Sequence, residues 1–152
     1  MTQHGFIFAP GDWLGEGEVS FSASEERLKF HTLWQVFHNE TDPIELRHTV
    51  EIVGVPDKVV NKLEVDQLSD SGFRLFLTND MVDRVEGKGL VEPDKIGWEF
   101  RGEPGFEGIE LYTLKEDGSY SVHAEYLSSE QFRTVIDGRI WKRTTEQKDE
   151  EQ

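Results

Sequence analysis

The side chains that could do chemistry in this chain are few and scattered. Cysteine is absent, which excludes thiol nucleophiles, thiolate metal sites and disulfides together. The histidines are His4, His31, His38, His48 and His123. No two stand at i,i+2 on a strand or i,i+4 on a helix, so no pair shares a face from which to hold a metal. Gly-x-Ser-x-Gly, His-Glu-x-x-His and a phosphate-cradling glycine loop are all missing, and no catalytic or metal-binding residue is assigned. Acidic pairs such as Glu25-Glu26 and Glu150-Glu151 fall in turns or at the end of the chain, where a carboxylate is ordinarily solvated.

Isolated polar residues inside apolar runs carry more information. His48 alternates with Leu46 and Val50 and is expected to face inward, either as a hydrogen-bonded core histidine or as a ligand contact. His31 and His123 alternate with polar neighbours and are expected to face solvent. Glu110, within Gly108-Ile109-Glu110-Leu111-Tyr112, is expected to face solvent, with the interior as the alternative in the opposite register. Inside, desolvation would raise its pKa.

Arg133, Arg139 and Arg143 lie on the last alternating run. If that run is regular, Phe132, Thr134, Ile136 and Ile140 face inward and every arginine faces out. A bulge at Asp137-Gly138 would reverse the parity and bring Arg139 and Trp141 inside, where Arg139 could hold an anionic head group. The regular strand is expected, because it keeps Ile140 with Ile136. The cavity polar groups are then Thr32, His48, Asn61, Tyr120 and Thr134. The ligand-facing candidates are Trp34, His48, Tyr120, Tyr126 and, on the bulged alternative, Arg139.

What must position these residues is a set of short strands. From Asp12 to Ser22, Trp13, Gly15, Gly17, Val19 and Phe21 share one face, and Glu16, Glu18 and Ser20 share the other. A period of 2 is a strand and not a helix. Comparable runs recur about every 10–15 residues between turn formers such as Asn39 to Pro43, Pro56-Asp57 and Asp117-Gly118. Gly87-Lys88-Gly89 reads as a turn, with Leu90-Val91 doubtful as a strand. Ser22-Ala23-Ser24-Glu25 and Ser128-Ser129-Glu130-Gln131 resemble capping boxes with room for a single helical turn. No amphipathic helix appears, so the fold is expected to be all-β. About ten strands with short connections suggest a single closed antiparallel up-and-down barrel, since closure removes the exposed edges.

The chain has 152 residues, the size of one domain. Residues 1–143 are expected to form the barrel and 144–152 a disordered acidic tail. The formal net charge of -15 repels nucleic-acid phosphates and anionic membrane surfaces, so neither is an expected partner. Phe6-Ile7-Phe8-Ala9 is too short for a signal-peptide core, and no window reaches the roughly 20 apolar residues of a membrane helix. The expected location is the cytoplasm, without membrane insertion.

Gly11-Asp12-Trp13-Leu14-Gly15-Glu16-Gly17-Glu18 is similar to the Gly-x-Trp opening of the calycins, the superfamily of lipocalins and fatty-acid-binding proteins. Trp13-Leu14-Gly15-Glu16-Gly17 looks most like the nitrobindin-type barrels. The resemblance implies a ten-stranded calycin barrel with Trp13 packed at one end. In lipocalins a last-strand arginine closes over that tryptophan, which implies Arg139 or Arg143 here. Fatty-acid-binding proteins hold a carboxylate with Arg-x-Tyr, matched imperfectly by Arg139-Ile140-Trp141. Nitrobindin-like proteins bind haem through a histidine near the C-terminus, whereas this chain has no histidine beyond His123. The cofactor is left unknown. The expected function is binding of a small, largely apolar or lipid-like molecule inside the barrel. The alternatives are a haem- or cofactor-dependent enzyme and a filled barrel acting through its surface.

Overall fold

Each alternating stretch becomes a strand, because a residue that must be dry on one side and wet on the other has no other regular solution at period 2. A computed structural model describes residues 3–38, 40, 43–103, 106–128 and 133–144. The strands are β1 (Gly11–Phe21), β2 (Arg27–Phe37), β3 (Ile44–Ile52), β4 (Val59–Asp66), β5 (Gly72–Thr78), β6 (Val85–Glu92), β7 (Lys95–Glu103), β8 (Phe106–Leu114), β9 (Tyr120–Ser128) and β10 (Arg133–Lys142). Each pairs antiparallel with the next, and β10 returns to β1 to close the barrel. No helix occurs among the described residues, and so none is long and apolar enough to cross a membrane. The architecture is the all-β, ten-stranded, antiparallel up-and-down barrel that the alternation predicts.

The final strand is regular. Glu18, Gly17, Glu16 and Gly15 of β1 face Asp137, Gly138, Arg139 and Ile140 of β10 without a break. Thr134, Ile136 and Ile140 therefore share the inner face, and Arg139 stays outside. The register instead shifts between Phe100 and Glu103, where β7 meets β8.

Two readings of the sequence are corrected. Gly87-Lys88-Gly89 is not a turn but the middle of β6. Gly87 and Gly89 face inward, and a Cβ on them would stand 2.7 Å from the Phe100 ring and 2.2 Å from the Phe73 ring. The glycines are there to let two aromatic rings lie on the strand, which glycine in a strand interior often signals. Ser22-Ala23-Ser24-Glu25 forms a non-helical turn, in which the Ser24 hydroxyl accepts from the Glu26 amide at 3.1 Å. The similar motif at 128–131 falls mostly outside the described residues, as do Phe132 and the tail from 145 on.

One end of the barrel is plugged by the segment before β1. The fully buried Phe6 packs its ring on Trp13, Trp34, Tyr112 and Tyr120, with centroids 5.1–5.8 Å away. His4 Nε2 donates to the Glu92 carbonyl at 2.7 Å, leaving Nδ1 to accept from the Tyr120 hydroxyl at 2.8 Å. Ile7 sits at a φ of 59°, a strained region for a β-branched residue. His38 Nε2 holds it there by donating to its carbonyl at 2.9 Å. Trp13 is buried in this plug, as the Gly-x-Trp opening implies.

Candidate functional site

Plugging one end leaves a chamber of about 320 Å³ in the other half of the barrel, within the size range of small-molecule pockets. Val19, Phe30, Val50, Leu63, Phe100 and Ile136 supply much of its apolar lining. Phe21 and Val59 also line it yet are 37% and 45% exposed, so this end opens to solvent.

Polar groups enter from two walls. On the first, His48 stacks on Trp34 with centroids 3.9 Å apart and planes 10° from parallel. Behind it runs a short relay. The Met81 and Val82 amides donate to Asn79 Oδ1 at 2.7 and 2.9 Å, Asn79 Nδ2 donates to Asn61 Oδ1 at 2.9 Å, and Asn61 Nδ2 meets His48 Nδ1 at 3.4 Å. The backbone amides fix which way the Asn79 amide points, and each amide orients the next. His48 Nδ1 is thereby the acceptor, and the ring proton belongs on Nε2. Burial pushes the His48 pKa down to about 3, so the ring is neutral at physiological pH. Thr32 Oγ1, on the neighbouring strand, is buried without a hydrogen-bond partner.

The second wall carries Glu110. The Tyr112 hydroxyl donates to its Oε1 at 2.6 Å, and the Tyr126 hydroxyl donates to its Oε2. The Trp98 indole is near enough to favour the same charge but makes no hydrogen bond. Glu110 is walled in by protein yet keeps part of its surface open to the chamber. Desolvation raises its pKa, opposed in part by the two tyrosine hydroxyls. The same burial, with the Glu110 charge beside them, pushes both tyrosines well above the ordinary phenol value, so both stay protonated donors.

Local packing explains the position of each group. The Tyr112 ring stacks on Trp98 at 4.9 Å. The Tyr126 ring lies over Gly108, its partner across β8 and β9, and tilts against Phe106 at 5.7 Å. Neither hydroxyl can swing away without dislodging an aromatic contact.

Of the residues expected to face a ligand, Trp34, His48 and Tyr126 line the chamber, with Thr32, Asn61 and Thr134. Tyr120 does not. It is fully buried in the plug against Phe6, Trp13 and His4. Arg139 borders the chamber only as part of the β10 wall. Its guanidinium pairs with Glu16 at 3.0 Å on the outer face, 61% exposed, and lies over the Trp141 ring. The lipocalin-like closure of Arg139 over Trp13 is therefore replaced by a contact with Trp141, while Arg143 lies beside Asp12.

The haem position that the resemblance implies is not reproduced. Thr134, Ile136, Gly138 and Ile140, on the inner face of β10, offer no iron ligand. His123 is outside, between Asp137 at 2.6 Å and Glu125 at 2.8 Å.

Glu110 is turned into the chamber and not to solvent as the sequence suggests, and Tyr112 and Asn79 carry no sequence signal of a ligand-facing position. On β8 the apolar residues occupy both faces, with Ile109 48% and Leu111 37% exposed, so alternation leaves the parity undecided. The hairpin at Asp117-Gly118 carried the missing signal. It pairs Leu114 with Tyr120, Tyr112 with Val122 and Glu110 with Ala124, so the clear inner face of β9 fixes that of β8.

Neither a family model nor a curated protein matches this sequence. Among solved structures, the chain is similar to the S-type phycobiliprotein lyase CPES from Guillardia theta. The TM-score is 0.69 and the identity 8%, over 90% of this chain and 89% of that chain. At that identity the likeness shows a shared fold.

Proposed function

We propose that the protein binds a small, largely apolar molecule in the open half of its barrel. The observation that carries this reading is the chamber itself. It is about 320 Å³ of space with a largely apolar wall, an open mouth, a plugged floor and a few fixed polar groups, the usual make-up of a small-molecule site. Trp34, His48 and Tyr126 are the ligand-facing residues that the sequence indicated, and Glu110 joins them. The Trp13-Leu14-Gly15-Glu16-Gly17 opening on β1 and the fold shared with the lyase both support calycin kinship. The fold likeness supports small-molecule binding in the coarse sense that both chains are barrels. Titration with Nile red, an uncharged apolar dye, tests the reading. A blue-shifted, saturable, one-to-one response is expected, and a response that is weak and unsaturable contradicts it.

A further inference from the structure

The inner wall carries a carboxyl group with no cation to meet it. Among the described residues lining the chamber, the charged or titratable groups besides the tyrosines are Glu110, His48 and Arg139. His48 is held neutral by burial. The Arg139 guanidinium is engaged with Glu16 outside. Tyr112 and Tyr126 each fill one acceptor position, one on each carboxyl oxygen. A carboxylate has about four such positions, so unfilled acceptor capacity remains on a group that keeps surface in the chamber.

The surroundings of this group are aromatic. Tyr112, Tyr126, Phe106 and Trp34 all line the same chamber, and the electron-rich faces of such rings attract cations. A fixed carboxyl among aromatic faces is the recognition chemistry of an organic ammonium. It is the opposite of a fatty-acid site, because a ligand carboxylate would meet Glu110 with no positive group to offset it.

We propose that the ligand is an apolar, aromatic-sized organic amine whose protonated nitrogen docks on Glu110 between the Tyr112 and Tyr126 hydroxyls. The proposal rests on the chamber being a binding site. Whichever partner brings the proton, the complex is the same. An ammonium meets the ionised Glu110, or a neutral amine takes the proton from the protonated carboxyl, and either route ends in an N–H···O ion pair. Charge-assisted bonds of this kind are among the stronger ones available inside a protein.

The test is calorimetric titration of the full chain with three ligands sharing one body: 2-naphthylmethylamine, 2-ethylnaphthalene and 2-naphthylacetate. The amine is expected to bind at least tenfold tighter than the hydrocarbon and the carboxylate, and Glu110→Gln is expected to bring it down to the level of the hydrocarbon. Hydrocarbon binding as tight as the amine, or tightest binding by the carboxylate, overturns the amine assignment and leaves the chamber reading standing. No binding by any of the three overturns the chamber reading, and the assignment with it. Should Glu110→Gln fail to fold, the wild type decides by pH. The preference for the amine must shrink as acid protonates Glu110, and a preference unchanged by acid overturns the assignment.

Discussion

Tyr126 lies over Gly108, its cross-strand partner, and this contact delivers the phenol hydroxyl to Glu110. A Cβ at Gly108 would stand 2.3 Å from the ring, so any larger residue displaces the tyrosine. Gly108→Ala is expected to destabilise the fold by about 1–3 kcal/mol, the usual range for overpacking. It should also weaken any binding that depends on Glu110. Gly5→Ala is the control, because its nearest neighbours stand at 3.5 and 3.8 Å, in ordinary van der Waals contact. Denaturant unfolding of both variants checks this, with the Gly5 change expected to stay within about 0.5 kcal/mol.

Glu110 gives the barrel a pH dependence of definite sign. Its pKa is raised on folding from the ordinary value of 4.5, so the native state binds the proton more tightly than the unfolded chain. Its contribution is fully present below pH 4.5. That contribution is lost as pH rises through the folded pKa, and is constant above it. Glu110→Gln keeps the shape and still offers groups to both tyrosine hydroxyls. The variant is expected to be no less stable than wild type at pH 7 and to lose this part of the pH slope. Denaturant midpoints measured across the acid and neutral range read it directly.

The plug is expected to carry a large share of the stability. Trp13 packs edge-on to Phe6 and Tyr120 at 5.5 and 5.6 Å and is almost wholly buried. Trp13→Ala is expected to cost roughly 3–5 kcal/mol, as for other large buried aromatics. A cost below about 1 kcal/mol, within the range of surface changes, would mean that the tryptophan is not structural.

The sequence made the barrel legible because nearly every strand sorts its residues by face, and closure follows from ten strands that need their edges paired. It made the inward orientation of His48, Trp34 and Tyr126 legible for the same reason, since β2, β3 and β9 each have one plainly apolar face. It failed where the periodic signal fails. Leu111 and Ile109 obscure the parity of β8, so the sequence points Glu110 outward where the barrel turns it in. Gly87 and Gly89 look like turn residues until Phe73 and Phe100 are seen lying on them. The plug at residues 4–8 has no period at all. His4, Phe6 and Ile7 are buried by partners distant in sequence, such as Glu92 and Tyr120, which no local pattern announces.

Arg139 lies outside the binding chemistry on this account. Its ion pair with Glu16 is exposed and worth at most about 1 kcal/mol. Arg139→Gln is expected to leave the affinity of a fluorescent fatty-acid probe unchanged, or both proteins to bind none. A tenfold loss in an intact fold would place the guanidinium in the site after all.

The central claim, that ligand sits in the chamber, is tested most directly by filling that chamber. Ile136 lines it and is paired across the sheet with Val19 and the small Ala124, which leaves room for a larger ring. The measurement is a Nile red titration of wild type, Ile136→Trp and, nearer the mouth, Thr134→Trp, with folding of each verified by circular dichroism. The account predicts saturable binding by wild type and at least a tenfold loss in the filled variants. Binding that survives in variants that remain folded would contradict it and move the ligand to the outside of the barrel.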